Sequence, residues 1–282
     1  MKINEFKIPC SLIYSLVNIK DHAPLTQEEI KEFFDLLLEQ NKHPLTMTGA
    51  GIVQNAVKKS LMSIQRSVPA TAKALLSKYY AMEMYGKTGL IDSKSVVNSL
   101  LKGEQAELDA INLLSQIDNR QYEKNEQKFQ NSYIKGVPDI IMHDGKHKRV
   151  IDIKCPVDMP SFIYKANELK NPEYDWQMQG YLWLTKSEYG EIAYCLVNTP
   201  QSIINKAKAA LIRNAELSGT LSDETYESAS MLDASLKYDD IPLNKRVIRY
   251  KVTFDKDKVE KIKRAVELAR EWLRTIHEHF GK

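Results

Sequence analysis

Along the chain, long stretches carry apolar residues at helical spacing, and a few short stretches alternate apolar and polar at every second residue. "LTQEEIKEFFDLLLEQ" opens with Thr26 as N-cap and Glu29 three residues later, the reciprocal pairing of a capping box. "TAKALLSKYYAMEMYG" and "DSKSVVNSLLKGEQAELDAINLLSQ" keep the helical period, so residues 1–100 read as a mainly helical region. A β-hairpin follows from about Tyr133. "NPEYDWQMQGYLWLT" then reads as a helix capped by Asn171 with Pro172 in its first turn, and "GEIAYCLVN" as a strand. From Gln201 to Arg246 the chain is polar and rich in turn formers ("AELSGTLSDETYESAS"), and it is expected to be a mobile, variable connection. "RVIRYKVTF" gives a further strand. Val259, Ile262, Val266, Ala269, Leu273 and Ile276 then set one apolar stripe on a closing helix from Lys256 to Phe280.

The hairpin "GVPDIIMHDGKHKRVIDIKCP" carries charges where apolar residues are the norm. If "DGKH" is a four-residue loop, His143 faces Lys148, and counting back along both strands sets Asp139 opposite Asp152. Like charges so opposed, with side-chain bases roughly 5 Å apart, are unfavourable unless a cation lies between them. Lys154 falls on the same face. A two-residue Asp-Gly turn makes the pairing diagonal but keeps the three groups together, whereas an odd-length loop separates them. Val137, Ile141 and Val150 share the charged face and Ile140, Ile151 and Ile153 the other, so both faces are expected to be at least half buried. Buried paired carboxylates need a metal or a counter-charge.

Composition narrows the setting. The 282 residues allow one large or two modest domains, and 43% hydrophobic content suffices for a packed core. A net charge of +3 with 27% charged residues describes a mildly basic protein and does not by itself indicate nucleic acid. Cys10, Cys155 and Cys195 form no CxxC pair, which argues against a disulfide framework and a structural zinc site. No apolar run approaches a membrane span, and "MKINEFKIPC" lacks the pattern of a signal peptide, so a cytoplasmic location is expected.

"PD" at Pro138 and Asp139 followed by "DIK" at Asp152 to Lys154 resembles the PD-(D/E)XK nuclease signature. Three further stretches resemble the phage lambda exonuclease type, also called the YqaJ-like viral recombinase group: "DIKCP", the Gln-x-x-x-Tyr element at Gln177 and Tyr181 within "WQMQGYLWLT", and the pattern GxxxExxA at Gly103, Glu107 and Ala110. Together they cover roughly Lys73 to Thr199 in the family's order.

The resemblance implies an α/β fold with a restriction-endonuclease-like core, a central mixed β-sheet flanked by helices, a helical N-terminal region and a long C-terminal helix. It is read as a single nuclease domain over 1–282: helical region 1–100, catalytic core 101–200, variable connection 201–246, closing strand and helix 247–282. It also implies hydrolysis of DNA phosphodiesters with Mg²⁺, for which Mn²⁺ would substitute, held by Asp139, Asp152, the Ile153 carbonyl and Glu107. Lys154 would act on the attacking water or on the transition state. Glu107 is in register with Ala110, Ile111 and Leu114 on an apolar stripe, and Glu104 one turn earlier is the rival third carboxylate. Gln177 and Tyr181, four apart on one helix face, would contact substrate or orient Lys154.

Ser161, Lys165 and Lys170 are candidate phosphate contacts. The family's 5′-phosphate pocket has no clear counterpart, and Ser11, Ser15 and Thr48 are its candidates here. Kinship further implies double-stranded DNA ends as substrate, a single-strand annealing protein as partner, and a homo-oligomer such as a trimer. Three rivals stand beside the exonuclease: an endonuclease on the same core, a DNA-end binding protein without turnover, and a RecB-like nuclease, whose iron–sulfur cysteines the three scattered ones here do not match.

Overall fold

The computed structural model describes residues 3–17, 68–87, 94–144, 147–167 and 171–281, with 94–105, 144, 147, 166 and 167 described by backbone alone. The helix expected around Thr26 and Glu29 lies outside these residues. The chain divides into two compact units, 1–6 with 15–88 and 261–282, and 7–14 with 89–260.

Residues 7–14 of the second unit supply strand β1 (Ile8–Pro9) and a 3₁₀ turn (Cys10–Leu12) that leads into helix α1 (Ile13–Val17). In the first unit, helix α2 (Ala70–Tyr85) buries Ala72, Leu76 and Tyr80, a stripe at four-residue spacing. The long C-terminal helix, here α8 (Lys256–Phe280), buries the expected Val259, Ile262, Val266, Ala269 and Leu273, and Ile276 is half-buried. Tyr80 and His277 close that unit with a 3.0 Å contact between hydroxyl and Nδ1.

The second unit is built on helix α3 (Lys94–Ile117) and two sheets. Strand β1 pairs with β3 (Ile134–Gly136), which pairs in turn with β2 (Phe129–Gln130). The main sheet runs β4 (Ile140–Asp144), β5 (His147–Lys154), β6 (Tyr189–Cys195), β7 (Val247–Thr253), with antiparallel, parallel and antiparallel pairings. The parallel step requires a crossover, and helices α4 (Met159–Asn167) and α5 (Pro172–Thr185) provide it.

Helix α5 starts where its sequence indicates: Asn171 Oδ1 accepts the Glu173 N–H at 3.0 Å, and Pro172 stands where a missing N–H costs nothing. Small residues let α5 lie close to its neighbours. A Cβ at Gly180 would stand 2.6 Å from Ile13 Cδ1, and one at Gly190 of β6 would stand 2.5 Å from Met178 Sδ. On the other face of the sheet, Ala106, Ala110, Ile111 and Leu114 of α3 pack on Ile140, Met142, Ile151, Ile153, Ala193 and Cys195. Truncating a side chain such as Leu114 or Ile151 to Ala there would cost about 2–5 kcal/mol.

The expectation for 201–246 is corrected. Most of it is helical: α6 (Gln201–Ser218) and α7 (Asp223–Ser235) pack on each other. The Ser-Gly and Ser-Asp pairs that look like loop are the helix ends. Gly219 closes α6 at φ +68°, and Ser222 with Thr225 forms a capping box for α7. The stretch is polar because these helices bury few residues, Ile203, Ile204 and Ala229, and leave most of the rest exposed. Among the described residues no helix is long and apolar enough to cross a membrane.

Candidate active site

The hairpin register brings the charged residues together. Ile140 pairs with Ile151 and His143 with Lys148, so Asp139, one residue before β4, stands across from Asp152 as expected. Asp144 also pairs with His147, which shortens the loop to residues 145–146 without changing the register. The faces divide as the alternation suggests: Val150 on the charged face is buried, as are Ile140, Ile151 and Ile153 on the other. Val137 is the exception, at 38% exposed, because it precedes the strand.

Asp152 is only 1% exposed. Its Oδ2 lies 2.7 Å from Lys154 Nζ, and the ammonium also donates to Gln177 Oε1 at 3.2 Å. Gln177 Nε2 donates in turn to the Tyr181 hydroxyl at 3.0 Å. Gln177 and Tyr181 thus form a hydrogen-bonded chain behind the lysine. Asp139 Oδ2 accepts the Ile153 N–H at 2.6 Å, while Asn125 holds the Asp139 and Pro138 carbonyls at 2.7 and 2.8 Å.

Burial, and then the charge of Asp152, push the Asp139 carboxyl up to about 7 against the opposing pull of the Ile153 N–H and Lys154. For Lys154, burial favours the neutral amine, but the charges of Asp152 and Asp139 outweigh it and raise its pKa. The lysine therefore stays an ammonium, and the aspartates compete for its single positive charge.

Glu107 reaches the same cleft from α3, and its Oε2 is taken by Lys124 Nζ at 2.8 Å. Among the described residues no group of three or more His, Cys, Asp or Glu side chains is drawn together tightly enough to hold a metal ion, but Glu107 stands in the same cleft as the aspartates and its charge adds to the rise in Asp139's proton affinity. The side chain of Glu104 lies outside the described ones. Four carboxylates, Glu107, Asp139, Asp152 and Glu173, line the cleft with Lys154 and Lys165, and Lys124 reaches Glu107 from beside it. The donor set fits a hard divalent cation. It offers two opposed carboxylates, one with a buried Oδ2 that meets the lysine but accepts no well-directed hydrogen bond, and Mg²⁺ commonly takes one or two carboxylates and completes its shell with water and phosphate oxygens.

The cleft measures about 670 Å³, and Ser11, Ser161 and Lys165 line it together with Glu107, Asp139, Asp152, Ile153, Lys154 and Gln177. Lys170 and Thr48 lie outside the described residues, and Ser15 falls in the first unit. Sequence reasoning missed Asn125, Lys124 and Tyr174. Tyr174 could have been found by spacing, since it precedes Gln177 by three residues and Tyr181 by seven on one helix face. Lys124 and Asn125 sit in irregular chain with no periodic signal. A second cavity of about 420 Å³ lies between α5 and β7, but its groups are satisfied: Lys258 pairs with Asp175, and the Gln179 amide bonds the Thr253 carbonyl and the Asp255 N–H at 2.8 and 2.9 Å.

No family model and no curated protein matches the sequence. Among solved structures, the chain is similar to a phage related exonuclease from Haemophilus somnus 129PT, with TM-score 0.63, 20% identity, and coverage of 98% of this chain and 96% of that one. It is also similar to an alkaline exonuclease (LHK-Exo) from Laribacter hongkongensis, with TM-score 0.53, 11% identity, and coverage of 99% and 93%. At such identities the likeness establishes the fold: this chain shares the mixed-sheet α/β fold of these two proteins.

Proposed function

We propose that this protein is a Mg²⁺-dependent deoxyribonuclease, accepting Mn²⁺ as substitute, that degrades linear double-stranded DNA from its ends in the 5′ to 3′ direction. The observation that carries this reading is the opposition of Asp139 and Asp152 in a cleft where Lys154 is held by Asp152 and Gln177. The shared fold supports it, since both similar structures are described as exonucleases.

When bound, a divalent cation would screen the scissile phosphate and lower the pKa of the attacking water. Asp139 and Asp152 would hold it, with the Ile153 carbonyl beside them and Glu107 within the same cleft. Lys154, kept charged and aimed by Gln177, can hold the attacking water by hydrogen bond or donate to a phosphate oxygen as negative charge develops. Ser161 and Lys165, on the cleft wall, suit contacts to backbone phosphates and carry no sequence preference.

Resection of this kind leaves a single strand, which fits a role in phage-type recombination in the bacterial cytoplasm, beside an annealing protein and with the enzyme working as a homo-oligomer. The test is degradation of linear duplex DNA with a 5′-phosphate, linear duplex without it, and covalently closed circles, each with Mg²⁺, with Mn²⁺ and with EDTA. The expected result is metal-dependent loss of linear DNA, fastest with the 5′-phosphate, and intact circles. Equal cutting of circles and linear DNA would reassign the protein to the endonucleases. Binding of ends without cleavage in either metal would make it an end-binding protein.

A further inference from the structure

We propose that Tyr174 is a positioning residue for Lys154: the face of its ring closes the socket that holds the ammonium over the cleft. This rests on the nuclease reading in so far as it concerns turnover. A lysine ammonium is a compact charge on a flexible four-carbon stem, so it acts at a fixed point only if its surroundings confine it. Two contacts confine it from one side, Asp152 Oδ2 at 2.7 Å and Gln177 Oε1 at 3.2 Å. The Tyr174 ring stands 4.7 Å from Nζ by its centroid, within the range at which the negative face of an aromatic ring attracts a cation. Tyr174 and Gln177 are three residues apart on α5, so one helix supplies both the ring and the amide.

The ring is itself supported. Tyr194, across β6 from Lys154 in register, meets Tyr174 with centroids 6.1 Å apart. Tyr250 on β7 packs edge-on against Tyr194 at 5.8 Å, and its hydroxyl donates to the Lys165 carbonyl at 3.2 Å. Tyr194 is buried, so this aromatic row is a fixed backing rather than a surface. It keeps Tyr174 from swinging away, and the lysine is left with one direction of approach, toward the cleft. The ring face does this work, so Phe should serve as well as Tyr.

The experiment compares the parent with Tyr174→Phe and Tyr174→Leu, with Tyr174→Met in reserve if the Leu variant fails to fold. Two quantities are read: kcat and KM on linear duplex DNA, and the ε-methylene NMR signal of Lys154 in lysine-labelled protein, assigned with Lys154→Arg. In the parent and in Tyr174→Phe the signal should be shifted upfield by the ring current, with kcat equal within about twofold. In Tyr174→Leu the shift should vanish and kcat fall about tenfold or more, while KM stays within about threefold, because contacts to the rest of the DNA are untouched. Parent-like kcat in Tyr174→Leu overturns the proposal. So does a Phe variant as poor as Leu, or a loss of kcat with an unmoved Lys154 signal. A parent that shows the shifted signal but cleaves no DNA overturns the nuclease reading and leaves the contact standing, whereas an unshifted parent signal removes the contact whatever the activity.

Discussion

Asp139 and Ile153 are tied across the β4–β5 hairpin: the Asp139 Oδ2 accepts the Ile153 N–H at 2.6 Å, just beyond the last cross-strand pair of Ile140 and Ile151. One backbone donor thereby fixes a carboxylate opposite a second carboxylate, and the main chain rather than a flexible side chain sets the spacing of the pair. Burial, and then the charge of Asp152, raise the proton affinity of Asp139, and that cost can be measured.

In metal-free buffer the folded protein holds the Asp139 proton up to about pH 7, whereas an unfolded Asp releases it near pH 4. Between those values the folded state binds more protons than the unfolded one, so this group's contribution to stability falls as pH rises through the window. Asp139→Asn removes the titration and keeps an acceptor for the Ile153 N–H. The melting temperature of the variant minus that of the parent should therefore increase from about pH 4 to about pH 7 with EDTA present. A difference that is flat across that range would show that burial and the neighbouring Asp152 do not raise the proton affinity of Asp139 in the fold.

Added Mg²⁺ should reverse the parent's penalty. A ligand at one hundred times its dissociation constant stabilises the state that binds it by about 2.7 kcal/mol, a shift of several degrees readable by calorimetry or fluorescence. Asp152→Asn should lose most of that shift and all detectable cleavage while still binding DNA, since an anionic repulsion toward phosphate is removed. Lys154→Ala should keep the metal-dependent shift and lose turnover. A parent whose melting temperature ignores both Mg²⁺ and Mn²⁺, with an Asp152→Asn variant that still cuts, would sink the metal site.

For the third carboxylate, Glu107→Gln should lower cleavage by about tenfold or more by removing a charge that faces the aspartates, and Glu104→Gln should stay near the parent. Glu107→Gln should not move stability much, because the Glu107–Lys124 pair is partly exposed, with the lysine side chain 43% accessible, and such pairs contribute about 1 kcal/mol or less. Unfolding is thus not an explanation for lost activity. The opposite ranking of the two variants would mean that the helix is in register with the cleft one turn earlier.

The chain from Tyr181 through Gln177 to Lys154 separates stability from turnover. Tyr181→Phe leaves the buried Gln177 amide without its acceptor and should cost about 1–3 kcal/mol in denaturant unfolding, with a modest loss of kcat. Gln177→Leu removes the acceptor that aims the ammonium, so it should cut kcat far more than its loss of stability suggests. If both variants lose kcat in proportion to their stability, the chain is structural support only.

The sequence by itself determined what depends on neighbours along the chain. Period-two alternation in 136–156 defined the hairpin and which residues share its faces, and set Asp139 against Asp152 on condition of a four-residue loop; the cross-strand pairing of Ile140 with Ile151 and His143 with Lys148 then chose that register among the turns the sequence left open. Asn171, Pro172 and the apolar stripe of the C-terminal helix were legible for the same reason, since capping and helical spacing are local. The caps at Gly219 and Ser222 were present in the sequence too, but they resembled a loop because helices that bury only a few residues carry little apolar pattern. Tertiary structure decided the rest. That Glu107 meets Lys124, that Gln177 and the Tyr174 ring close on one ammonium, and that Asn125 anchors the start of β4 all join residues from separate elements. No periodicity encodes such contacts, because they follow from how α3 and α5 pack on opposite faces of one sheet, and that packing is set by the whole core rather than by any single stretch of chain.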